Sequence, residues 1–98
     1  MQQNTCDEAL AVALYSERVQ TLLRAIKVMG CGALRKGISC RVCDKPDDPY
    51  YQGKANTQGY FDSKHRRVVL CCEQIATQKD LEDTLVHELV CRWWACHL

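Results

Sequence analysis

Apolar positions recur at helical spacing at both ends of the chain and cluster at strand spacing between them. Leu10 and Leu14 are four apart, and Val19, Leu22, Leu23 and Ile26 carry the stripe onward. Such a stripe is the core face of a packed helix. Thr5-Cys6-Asp7-Glu8 has the form of a capping box, with Thr5 as N-cap and Glu8 reaching back. Ser16-Glu17 can cap a restart, so the segment reads as two helices meeting at Ser16. Gly30 and Gly32 close it, since glycine accepts the left-handed turn at a helix C-terminus. At the other end, Leu81, Leu85 and Leu89 lie four apart on one face. Thr77-Gln78-Lys79-Asp80 precedes them as a cap, with Asp80 near the positive end of the helix.

Between these helices the pattern changes. Gly59-Tyr60-Phe61-Asp62 and Arg67-Val68-Val69-Leu70-Cys71 are β-prone, and Asp62 to Arg66 reads as the turn of a hairpin. Alternation puts Val68 and Leu70 on one face and Val69 on the other, with Tyr60, Val68 and Leu70 buried. Lys64, His65 and Arg66 are expected in solvent. Asp44 to Gly59 holds Pro46, Pro49, Gly53 and Asn56 and reads as a loop; Tyr50 and Tyr51 within it are assigned no chemistry. The predicted class is α+β: an N-terminal helical segment, a small cysteine-stapled antiparallel hairpin and a C-terminal helix. At 98 residues the chain is a single domain, 1–98.

Charge narrows the options little. A net charge of +1 provides no basic surface for nucleic acid. No apolar run is long enough to cross a bilayer. Met1 to Glu8 lacks a basic region followed by an apolar one, and it is acidic where a mitochondrial presequence would be rich in arginine. No conventional targeting segment is expected.

Cysteine is the outlier, with eight in a short chain: Cys6, Cys31, Cys40, Cys43, Cys71, Cys72, Cys91 and Cys96. That density signals disulfides or bound metal. Cys40-x-x-Cys43 suits a zinc knuckle, a redox pair or two separate disulfides. Cys71 and Cys72 are adjacent, point opposite ways along a strand, and need different partners.

The C-terminal helix carries Thr84-Leu85-Val86-His87-Glu88-Leu89-Val90-Cys91. It matches the zinc-protease motif H-E-x-x-H except at its last position. In that motif two histidines one helical turn apart hold a zinc ion and the glutamate activates water. With His87 at zero, Cys91 falls at about 40°, Cys96 at about 180° and His97 at about 280° at 100° per residue. His87 and Cys91 can therefore share an ion, which Cys96 and His97 cannot complete on a continuous helix. A cysteine is a good zinc donor, but half of a disulfide or a buried thiol is the alternative reading of Cys91.

Taken in order, Gly30-Cys31, Cys40-x-x-Cys43, Gly59-Tyr60-Phe61-Asp62, Val69-Leu70-Cys71 and Thr84 to Leu89 form a specific series. It resembles the mitochondrial inner-membrane zinc metalloproteases that mature a membrane subunit of ATP synthase and assist its assembly. The resemblance runs from about Cys6 to Cys91. It implies zinc endopeptidase activity on that precursor, peripheral membrane association on the intermembrane-space side, and cysteines oxidised on import. Most of Cys6, Cys31, Cys40, Cys43, Cys71 and Cys72 are therefore expected to be paired. By the same resemblance His87 is a zinc ligand, Glu88 the catalytic base, and Cys91 stands where the family has its second histidine ligand. The family takes its remaining ligand from beyond the motif, and Arg92 to Leu98 departs from that continuation; the loop Asp44 to Gln58 is longer than the family needs. The chain is thus read as a truncated member with little activity of its own. A non-catalytic assembly or chaperone module stays open beside the enzyme reading. So does a small zinc-binding interaction domain using Cys40, Cys43 and one of Cys71 or Cys72.

Overall fold

A computed structural model describes residues 1–30, 37–44, 57–62 and 66–97, with side chains through Trp94. In chain order the elements are α1 (Gln3–Ala13), α2 (Glu17–Val28), β1 (Gly37–Arg41), β2 (Gly59–Asp62), β3 (Arg67–Cys71), a short 3₁₀ turn (Cys72–Gln74) and α3 (Gln78–His97). The fold is α+β. Cys31, the loop segment 45–56 with Tyr50 and Tyr51, and Lys64 and His65 of the turn lie outside the described residues.

Helix α1 begins three residues earlier than the capping box implies, with Gln2 at its N-cap. The Cys6 amide donates to the Gln2 carbonyl at 2.9 Å. That register turns Cys6, Ala9, Leu10 and Ala13 to the core. The chain restarts at Ser16, which is extended and caps α2 through its backbone, without a side-chain bond. Gly30, at φ 71°, ends α2 and donates to the Lys27 carbonyl. Val19 and Ile26 are buried, with Leu22 and Leu23 packed beside them.

The sheet holds one strand more than the hairpin. The order is β1-β3-β2, with β2 antiparallel and β1 parallel to β3. The central strand β3 is buried throughout. Val68 and Leu70 face the main core, whereas Val69 and Cys71 face a smaller cluster with Cys43. Tyr60 pairs across from Val69 and so joins that smaller cluster, half-buried rather than buried. Arg66 turns the chain into β3 with φ 51° and is half-buried, not exposed. Asp62 and Arg67, register partners at the hairpin's closed end, form a buried ion pair at 3.1 Å.

Helix α3 starts as its sequence dictates. The Thr77 hydroxyl accepts the Asp80 amide at 3.0 Å, and Asp80 sits in the first turn. Leu81, Leu85 and Leu89 are fully buried. Arg18 of α2 bridges Glu82 and Asp83 of α3 on the surface, and Lys79 also pairs with Asp83. These exposed pairs orient the helices more than they stabilise them. The buried leucine face fixes the helix, so the opposite face, with His87 and Cys91, is presented outward.

Candidate metal centre

His87 and Cys91 lie one turn apart on α3, with Nε2 and Sγ separated by 3.6 Å. Both are exposed. Bonds of about 2.0–2.1 Å to nitrogen and about 2.3 Å to sulfur at a tetrahedral angle span about 3.6 Å. The pair thus fits two positions on one zinc ion without moving. Among the described residues no third histidine, cysteine or carboxylate joins them at ligand spacing. Helix α3 runs unbroken through His97. At a rise of about 1.5 Å per residue, the backbone at 96 and 97 is about 14 Å or more farther along the axis than at 87.

Glu88 differs from its neighbour. Its side chain is 14% exposed and its carboxylate lies 4.0 Å from His87 Nε2. Burial raises its pKa, and the only opposing influence is His87. A carboxylate at the margin of water, biased toward holding a proton, suits acid–base work. It also costs stability. A carboxyl whose folded pKa lies above the unfolded value destabilises the fold as pH rises through the folded pKa, and the cost is absent in acid. Glu88→Gln in the metal-free chain should therefore melt at a higher temperature than the parent at pH 7. The gap should close toward about pH 4, where the unfolded carboxyl titrates. A thermal melt series across that range checks this, and an equal or lower melting temperature at pH 7 refutes it.

His87 and Glu88 edge an open depression of about 520 Å³. Thr57, Gln58 and Gly59 form its other wall, and Asp80, Asp83 and Thr84 line its floor along α3. Gly59 sets the width. A Cβ there would stand 3.0 Å from Thr84 Cγ2 and 3.1 Å from the Val69 carbonyl, so only glycine lets β2 come this close. The Thr84 hydroxyl bonds Gln58 Oε1 at 3.0 Å and ties the two walls together. The sequence marks Gly59 only as the start of a strand and Thr84 only as a helix residue; their mutual approach is a property of packing.

The cysteines separate into two groups. Cys43 and Cys71 are joined by a disulfide that staples the segment after β1 to the end of β3. Both Glu73 carboxylate oxygens accept the Cys43 amide at 3.1 Å. Cys6, Cys40 and Cys72 carry free thiols, all buried, with their sulfurs within 4.8 Å of one another. Of the six pairing candidates, then, two are bonded, three are free and gathered together, and Cys31 lies outside the described residues. Adjacent Cys71 and Cys72 do take different partners. A knuckle joining Cys40 and Cys43 with Cys71 or Cys72 is ruled out in this state, because Cys43 and Cys71 are bonded to each other. Burial pushes each of the three free thiols up to about 12. At neutral pH they are protonated and unreactive as nucleophiles.

The model of the peptidase M76 family matches residues 4–98, nearly the whole chain. No solved structure matches it.

Proposed function

The chain belongs to the peptidase M76 family, a family of metallopeptidases, and we propose that it is a zinc-binding peptidase domain with its site on α3. One observation carries this reading. His87 Nε2 and Cys91 Sγ stand at the separation a shared zinc requires, beside a half-buried glutamate at the edge of an open depression. His87 and Cys91 would hold the ion, and Glu88 would take and return the proton of an attacking water once a third donor completes the site. Zinc supplies charge for the developing oxyanion when bound. Thr57, Gln58 and Gly59 face α3 across the depression, and an extended peptide would lie between them and His87 and Glu88.

The substrate in this reading is a protein, the precursor of a membrane subunit of ATP synthase. The place of action is the intermembrane-space face of the mitochondrial inner membrane, with peripheral attachment. No described helix is long and apolar enough to cross a membrane. The two-donor site favours a second role as well. A domain that grips the precursor without cutting it would serve as an assembly module, using the same depression.

Zinc content tests the metal assignment. In an equilibrium titration with zinc, free ion present throughout, the His87→Ala/Cys91→Ser double variant should bind one ion fewer than the parent chain. Glu88→Gln should carry the same as the parent. Both replaced side chains are exposed, so the fold is expected to survive, and circular dichroism checks that. Equal zinc in parent and double variant would overturn the assignment.

A further inference from the structure

We propose that a second copy of this chain completes the metal centre on α3, so that one zinc ion joins two chains through His87 and Cys91 of each. The proposal rests on the reading of these two residues as zinc donors. Each copy supplies two donors, and among the described residues no third joins them. Structural zinc takes four, and two cysteines with two histidines are one of its common sets. A two-fold pair of chains supplies that set from one residue pair, because an isologous contact uses the same patch twice.

The two donors are placed for sharing. Nε2 and Sγ stand 3.6 Å apart, the length of one edge of a zinc tetrahedron, and the opposite edge is left for the partner. The His87 side chain is 72% exposed and Cys91 is exposed, so both stand on the outward face of α3, clear of the buried leucines. Opposite edges of a tetrahedron are perpendicular, so the two α3 helices would cross steeply over the ion. Cys91 stands apart from the buried thiols of Cys6, Cys40 and Cys72 and from the Cys43–Cys71 disulfide, so the site makes no demand on their redox state.

The flank of the pair is apolar. With His87 at zero, Val90 falls at about 300° and Trp94 at about 340°, on the side of Cys91 and opposite Leu85 and Leu89. Val90 is 43% exposed and Trp94 60%. A small contact between two helices would cover both, with an aromatic residue near its centre. Charge does not oppose the contact. The net charge is +1 per chain, and two Cys91 thiolates neutralise the ion. Of the acidic groups on this face, Asp83 is paired with Arg18 and Lys79. Asp80 lies two turns before His87, where a steep crossing carries the helices apart. On binding, each Cys91 S–H gives its proton to solvent, two Zn–S and two Zn–N bonds form, and no oxidation state changes. One pair alone holds zinc weakly, so bridging prevails while zinc is scarce; in large excess each pair keeps an ion of its own.

Sedimentation velocity and native mass spectrometry on the full chain test this. The chain is kept under argon without added reductant, so that the Cys43–Cys71 disulfide stays closed and Cys91 stays a thiol. At half an equivalent of zinc per chain the expected species is two chains with one zinc. Zinc K-edge X-ray absorption should then show two sulfurs and two imidazole nitrogens at the ion. A chelator should return monomers, and His87→Ala/Cys91→Ser should stay monomeric throughout. Trp94→Ala, which replaces an exposed side chain, should weaken the dimer about tenfold. A chain that stays monomeric while binding zinc through His87 and Cys91 would overturn the bridge and leave the peptidase site standing. Equal zinc binding by the parent and the double variant would overturn both. A dimer that resists chelator and yields only to reductant is a Cys91 disulfide and overturns the bridge. So does a zinc-dependent dimer of the double variant, which places the ion elsewhere.

Discussion

The parent chain, zinc-loaded and alone, is expected to cleave a family substrate no faster than its own Glu88→Gln variant. Cys91→His is expected to leave that result unchanged. A catalytic zinc is held by three protein donors and keeps one position open. Here His87 and Cys91 supply two, and no third joins them among the described residues. Two donors leave the ion weakly held and free to reorient, and its charge no longer falls reliably where the oxyanion forms. That charge is worth several kcal/mol, so its loss corresponds to at least about 10³-fold in rate.

The cysteine adds a second, smaller effect. A thiolate donates more charge to zinc than an imidazole does, so bound water would be less acidic and Glu88 would have more to do. If that were the main defect, Cys91→His alone would restore cleavage. The donor count says otherwise. Rescue should need the histidine together with a third donor delivered to the ion. Turnover by the parent that vanishes in Glu88→Gln would show this wrong and would mean that a third donor arrives from elsewhere, a second copy of the chain included. Zinc binding without turnover would leave the metal assignment intact and favour the assembly role.

The helices were legible because their signals are local. Leu81, Leu85 and Leu89 repeat on one face, and Thr77 caps through a bond that its position alone predicts. Ser16 and Gly30 mark boundaries for the same reason. The motif pair was legible too, because i to i+4 on a helix fixes which side chains meet. Strand β1 was not. Gly37–Arg41 has Ile38 as its one large aliphatic residue, and its parallel partner lies about thirty residues on, where no turn chemistry announces a pairing. The helix start at Gln3 was missed because Thr5-Cys6-Asp7-Glu8 looks like a cap wherever it stands, and burial of Cys6 decided the register. The three-thiol cluster joins positions 6, 40 and 72 across three elements. Spacing could say that these cysteines had partners, but only packing chooses them.

Removing the carboxylate at Asp62 should strongly destabilise the fold. Asp62 closes β2, Arg67 opens β3, and the two face each other in the ladder. Arg67 Nε donates to Asp62 Oδ2 at 3.1 Å, with the side chains 6% and 1% exposed. In sequence they flank a run of polar and charged residues and look like parts of a solvated turn, so only their burial reveals the role. Asp62→Ala leaves a guanidinium in the core without that carboxylate, a loss of about 3–5 kcal/mol. Against a total of about 5–15 kcal/mol for a domain, that is a large share, and the melting temperature should fall by well over ~10 °C. The Asp62→Leu/Arg67→Met double variant should lose clearly less than Asp62→Ala, because both charges of the pair are then removed together. The site should feel the same change. β2 carries Gly59 against Thr84, one turn before Glu88, so a loosened β2 widens the depression. Urea denaturation of the two variants and the parent decides the matter. A loss under about 1 kcal/mol in Asp62→Ala, or a double variant no better than the single, would mean that the ion pair is not what holds the closed end of the hairpin.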